Sequence, residues 1–260
     1  MLRIKETEDI DARTAEVEAI VTTWRQTVAN VNPKLREMFR NQLRISIIHH
    51  DGALEGEVLT QSEIKAAIDP DIISDQTLIP SYDDVKHLNQ ALDYGEAFAA
   101  TKKARFDVEM IRDVYAILAP EEKAKGLPFR KENPLHRLYY HDIVGPEKIG
   151  ASMKKLGEWW DSEDATELQM LERIVALQQK FMAVFPWVKE SGRCIRVISN
   201  MLLLASGYPY AIIHSQDRQK YYEALRGDQT SLLSVYLEAI QTTAQSEMRV
   251  YDEALNGRRR

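Results

Sequence analysis

Few side chains in this sequence have the types and spacing to do chemistry. His49 and His50 stand together and His136 and His141 lie among prolines. Each could accept a proton near neutrality, although a surface or hydrogen-bonded histidine is the commoner role. The one cysteine, Cys194, falls within an apolar run, where a thiol behaves as a small core residue rather than a nucleophile. Metal-ligand spacings such as HExxH or CxxC and the phosphate loop GxxxxGK(S/T) do not occur. What remains is the stretch Val184 to Asn200, VFPWVKESGRCIRVISN, which gathers Lys189, Glu190, Arg193 and Arg196 where a helix should begin. Ser191 is a good N-cap for a helix opening at Gly192, its hydroxyl satisfying a free backbone donor.

The elements that must position these residues are helices. Helical periodicity dominates and strand alternation is almost absent. Apolar spacing and Pro33 predict helices over about 11–30 and 33–49, the second with a core stripe of Leu35, Met38, Phe39, Leu43 and Ile47. Thr60-Gln-Ser-Glu63 is a capping box opening a short helix to about Ile68, and Ser81-Tyr-Asp-Asp84 opens one reaching at least Tyr94. Further helices are expected over 106–118, 146–160, 166–184, 192–205, 216–226 and 231–255, with Gly207 closing the one over 192–205. That helix is apolar nearly all round, the pattern of a helix at the centre of a bundle. Over 126–144 the period is lost and two prolines intervene, so a loop with a short β-hairpin is expected, its edge formed by Leu135, His136, Arg137, Leu138, Tyr139 and Tyr140. An exposed edge of this kind can add an extended peptide from a protein partner.

With 260 residues, 44% hydrophobic and 28% charged, nearly all of the chain should fold. The formal net charge of -6 disfavours nucleic acid and acidic membranes as partners. Arg258, Arg259 and Arg260 are expected to be a frayed, solubilising end. A single cysteine fits a reducing compartment, and neither a signal-peptide core nor a membrane-length apolar run is present, so a soluble cytoplasmic protein is expected, with secretion as an effector left open.

The stretch from Val184 resembles the signature of the Fic family, HPFx(D/E)GNGRxxR, a helix-loop-helix element that holds ATP and transfers its AMP part to a protein hydroxyl. Pro186, the aromatic Trp187, Gly192, Arg193 and Arg196 carry the match. Downstream, Gly207-Tyr-Pro209 and Asp217-Arg218-x-Lys-Tyr221-Tyr222-x-Ala-Leu225 are similar to the segment that follows the family's signature. Upstream, Asp51-Gly-Ala-Leu-Glu55-Gly56 is similar to the family's inhibitory motif (S/T)xxxE(G/N), with Asp51 replacing the hydroxyl residue. The resemblance covers about 50–237. It implies an all-α, Fic-type helical bundle with the hairpin as a target-docking flap. It also implies three regions: an N-terminal helical part with the inhibitory-like motif over 1–80, a Fic-like core over 81–245, and a helix end with a basic tail over 246–260. A nucleotide or anion site is implied at Lys189, Glu190, Ser191, Gly192, Arg193, Arg196, Tyr221 and Tyr222, with Gln229 near the adenine. Glu55 would be the inhibitory glutamate, paired with Arg196.

The departures fall on the chemistry. Phe185 stands where the family has its general base, and a hydrocarbon ring accepts no proton. Lys189 stands at the acidic position that holds Mg²⁺, which an ammonium cannot coordinate. Glu190 replaces a loop glycine, making positive φ costly and setting a carboxylate against the polyphosphate. These changes suggest an anion hole filled from within by Glu190 and Ser191, with Lys189 balancing Glu190. No catalytic set is intact and no metal is expected, while ATP remains the nucleotide the resemblance implies. The leading expectation is a pseudoenzyme or regulatory protein that docks a protein partner. Two alternatives stand beside it: a protein nucleotidyltransferase of AMPylation type with non-standard residues, and an unrelated all-α interaction protein. Homodimerisation is left open.

Overall fold

The computed structural model of the protein describes residues 2–69, 71–72, 82–101, 105–134 and 142–257, with side chains from Asp9 to Leu255. Among the described residues the regular elements are all helical. Helix α1 (Leu2–Asn30) is followed by α2 (Pro33–Glu55), where Asn32 accepts a hydrogen bond from the Lys34 N–H and Pro33 occupies the first turn. The second helix runs six residues past its expected end at His49, through Asp51-Gly52, and Gly56 caps it at φ 95°. That extra turn and a half places Asp51 and Glu55 on one helical face.

The capping box forms as expected, Thr60 and Glu63 bonding each other's backbone at the start of α3 (Gln61–Ile68). Helix α4 (Tyr82–Ala100) precedes α5 (Val108–Leu118), which Asp107 caps through the Met110 N–H, and a single turn α6 (Pro120–Lys123). Then come α7 (Ile149–Trp160), the turn α8 (Glu163–Thr166), α9 (Met170–Val184), α10 (Ser191–Ala205), α11 (Arg218–Arg226) and α12 (Gln229–Gly257). Helix α10 is the centre of the bundle, packed against α4, α5 and α9 and buried from Ser191 to Leu203 except at Asn200. Its all-round apolar sequence is what a helix without a solvent face requires. Helices α1 and α12 pack on each other along their length.

The expected β-hairpin is not part of the described structure. Residues 126–134 and 142–145 form turns and irregular backbone with no strand, and the expected edge, residues 135–140, lies outside the described residues with His141. The backbone there is tied to the core instead by Arg130.

Candidate functional site

The start of α10 meets the end of α2. Arg193 and Arg196, three residues apart on α10, both point at α2, and Asp51 lies between them. Its Oδ2 accepts from Arg193 Nε at 2.8 Å and its Oδ1 from Arg196 Nε at 2.6 Å. Arg196 Nη2 donates to Glu55 Oε1 at 2.7 Å, the pairing the resemblance implies. Arg193 extends further, Nη2 to Glu57 Oε2 at 3.1 Å and Nη1 to Glu190 Oε2 at 2.9 Å. Four carboxylates therefore surround two guanidiniums, both 5% exposed or less. Gly192 is needed for this approach. A Cβ on it would lie 2.7 Å from Glu55 Oε1 and 2.9 Å from Arg196 Nη1.

The carboxylates do not share the positive charge equally. Burial opposes ionisation of Asp51, yet Arg196 and Arg193 outweigh it and hold the carboxyl below the ordinary value. Glu190 is pushed up to about 7 by burial, which Arg193 only partly offsets, and by the neighbouring Glu55 and Asp51. Glu57 is raised for the same first reason, again against the pull of Arg193. Arg193 is thus chiefly committed to Asp51, and the two glutamates at its other nitrogens are the weakly held members.

Several expectations at the loop are corrected. Ser191 is not the N-cap. Glu190 takes that position at φ 63°, and α10 begins at Ser191. The Ser191 hydroxyl spans back along the loop, accepting from the Trp187 N–H at 2.9 Å and donating to the Trp187 carbonyl at 2.7 Å. Lys189 is exposed, and the carboxylate of Glu190 turns to Arg193 rather than to it. Phe185 is fully buried with φ 46°. Trp187 stacks flat on Tyr115 with ring centroids 3.7 Å apart. Tyr221 and Tyr222 are core residues: the Tyr221 hydroxyl accepts from Gln178 Nε2 at 2.6 Å, and the Tyr222 hydroxyl donates to the Leu54 carbonyl at 3.1 Å. Gln229 donates to the Glu172 carbonyl at 3.2 Å.

The candidate bases are otherwise engaged. His49 Nδ1 donates to the Leu59 carbonyl at 2.8 Å. His50 Nδ1 accepts from the Ser215 N–H at 3.2 Å, which keeps the ring neutral, and burial with the adjacent His214 lowers its pKa to about 4. Cys194 is buried against the Ile111 carbonyl and its thiol is pushed up by burial. Among the described residues no three His, Cys, Asp or Glu side chains are grouped as a metal site would need.

Sequence reasoning missed three residues. Asp51 registered only as a departure from a motif, although its spacing of four from Glu55 on a helix, facing arginines three apart on another, was a legible signal. Glu57 carries no such signal. Arg130 is buried, and its Nε donates to the Phe185 carbonyl at 2.7 Å, its Nη2 to those of Val184, at 3.3 Å, and Val144, and its Nη1 to Asn133. Its N–H also meets the Pro186 carbonyl at 2.9 Å. A cation among the last carbonyls of α9 closes that helix and fixes the loop leading to Arg193.

No family model matches the chain. Its sequence is similar to the protein adenylyltransferase Fic of Drosophila willistoni, 24% identical over 182 residues, and to that of Drosophila melanogaster at 25% over the same length. Each alignment takes in 69% of this chain but 36% of the relative, so the chain spans about a third of the length of these proteins. Among solved structures, Fic-1 from C. elegans superposes with a TM-score of 0.75 at 19% identity, over 96% of this chain and 75% of that one. A Fic domain containing signaling protein from Bacteroides thetaiotaomicron gives 0.76 at 18%, over 93% and 98%. The backbone of this chain has the fold of these Fic domain structures.

Proposed function

We propose that this chain is a Fic-fold protein whose nucleotide cradle is closed by its own carboxylates, a pseudoenzyme that acts through a protein partner rather than through transfer of AMP. The observation that carries this reading is Asp51 bridging Arg193 and Arg196 while Glu57 and Glu190 take the outer nitrogens of Arg193 and Glu55 takes Nη2 of Arg196. A triphosphate does not fit that set as it stands, because it would have to displace buried, charge-assisted bonds from an already acidic cluster. A divalent metal would have no carboxylate at the Lys189 position, and the base position holds the buried ring of Phe185. Loss of a general base alone costs about 10² to 10⁴ in rate.

The relatives named adenylyltransferases support a second reading, transfer of AMP by non-standard residues. One observation favours it: Arg196 Nη1 is buried and makes no hydrogen bond, beside Gly192 and the Glu55 carboxylate that packs on it. A donor is thus left where an anion could enter once Glu55 moves.

Titration calorimetry with ATP, with and without Mg²⁺, on the native chain, on Glu55→Gly and on the Glu55→Gly, Glu190→Gly double variant decides between the two, followed by labelled-nucleotide incorporation into protein. The closed cradle predicts no binding to the native chain and no incorporation by any of them. Metal-dependent binding with incorporation would establish the transferase.

A further inference from the structure

Glu190 brings the loop between α9 and α10 against Arg193, its Oε2 2.9 Å from Nη1. The backbone there stands at φ 63°, a left-handed conformation that a residue with a side chain rarely adopts. Of residues 188–190 only Glu190 turns its side chain inward, for Val188 and Lys189 face solvent. The segment 187–191 is closed on itself by the Ser191 hydroxyl, which bonds both the N–H and the carbonyl of Trp187. The Glu190 carbonyl in turn accepts from the Cys194 N–H at 2.7 Å, so the loop and the first turn of α10 are one bonded unit.

Charge alone does not account for that inward turn. Asp51, Glu55, Glu57 and Glu190 face two cations, Arg193 and Arg196, an excess of two carboxylates, and three of the four share Arg193. Glu190 meets Arg193 on its own helix, Asp51 and Glu55 from α2, Tyr115 from α5, and Cys194, the last two held protonated by burial. Glu57, its neighbour on Arg193, also feels Asp84 at the start of α4. Burial lifts the pKa of Glu190 to about 7 from an ordinary 4.5, Arg193 offsetting only part of the rise and Glu55 and Asp51 adding to it. A protonated carboxyl still accepts from Arg193 through its carbonyl oxygen. An ionised one gains more from water than from a guanidinium already held by Asp51, and its departure relieves the left-handed backbone.

We propose that the loop 187–191 is a proton-operated latch, closed while Glu190 is protonated against Arg193 and released, with residues 188–190 turning outward, when Glu190 ionises. This rests on the reading of the cradle as closed by its own carboxylates, and adds that one of the four holds only in its neutral form. Because the closed-state pKa is raised, the contribution of the latch is fully present below pH 4.5 and is lost as pH rises to about 7.

Hydrogen exchange of the full, nucleotide-free chain from pH 5 to 8 tests this, read at the Trp187 and Cys194 amides that bond across the loop and corrected for the intrinsic rate at each pH. Protection is expected to fall at least about tenfold between pH 5 and 7 and to level off by pH 8. Glu190→Gln, neutral and able to accept from Arg193 at every pH, should keep it flat, whereas Glu57→Gln should leave the fall in place. Flat protection in the native chain, a fall that survives Glu190→Gln, or one that Glu57→Gln abolishes would overturn the latch. So would protection equal to that of the α5 amides at every pH, since the loop would then open only with the whole molecule. ATP binding by the native chain would overturn the closed cradle instead, and exchange measured without nucleotide keeps the two outcomes apart.

Discussion

Asp51 supplies the counter-charge on which two buried guanidiniums depend. Asp51→Asn keeps the shape of the side chain and leaves Arg193 and Arg196 short of one full charge, so it should cost about 3–5 kcal/mol in urea unfolding. A loss below about 1 kcal/mol would mean the arginines are balanced by the glutamates instead. Glu190 behaves oppositely because its folded pKa is raised, to about 7 from an ordinary 4.5. The folded state then binds the proton more tightly than the unfolded chain. The associated stability is fully present below pH 4.5 and is lost as pH rises to about 7, on the order of 1–3 kcal/mol. Glu190→Gln should flatten that slope in a pH series of thermal melts. Asp51, held low, works in a separate window: its contribution is present above its ordinary 3.8 and is lost as pH falls below it.

At the scale of elements, the register of α2 against α10 rests on Gly192, and the exit of α9 rests on Arg130. In an exposed helix Gly→Ala gains about 1 kcal/mol. Gly192→Ala should instead lose about 1–3 kcal/mol, because the new methyl meets Glu55 and Arg196 below 3 Å and the pair must part. Stabilisation on chemical denaturation would show that the two helices do not approach so closely. Arg130→Ala strands the carbonyls of Val184 and Phe185 inside the protein and should cost about 2–4 kcal/mol, with faster hydrogen exchange over 184–190 as the local sign. Helix α2 was legible as a helix but not in its length. Its last turn contains Asp-Gly, which reads as a turn, and only burial of Asp51 against two arginines makes helix the better state there.

For the whole molecule, the long helices near the two ends of the described chain are joined by a buried polar contact. Trp24 Nε1 on α1 and the Tyr251 hydroxyl on α12 both donate to Glu247, each at 2.6 Å, while the Tyr208 hydroxyl donates to Glu18. Burial raises the pKa of Glu247 in spite of these donors. Trp24→Phe leaves that carboxylate with one donor fewer and opens a gap in the packing, and a loss of about 1–3 kcal/mol with a lower Tm is expected. A single shared transition by circular dichroism and fluorescence is expected too, since α10 packs against helices from both halves of the chain.

The sequence by itself determined the helical class, most helix positions and the central place of α10. These follow from the periodicity of apolar residues and from capping residues, which are local properties. The structure alone decided which carboxylate holds which arginine. Asp51, Glu57 and Glu190 each take a different nitrogen of the buried Arg193 guanidinium, and the balance among them depends on desolvation and on how closely segments far apart in the chain approach, about which neither spacing nor composition carries information.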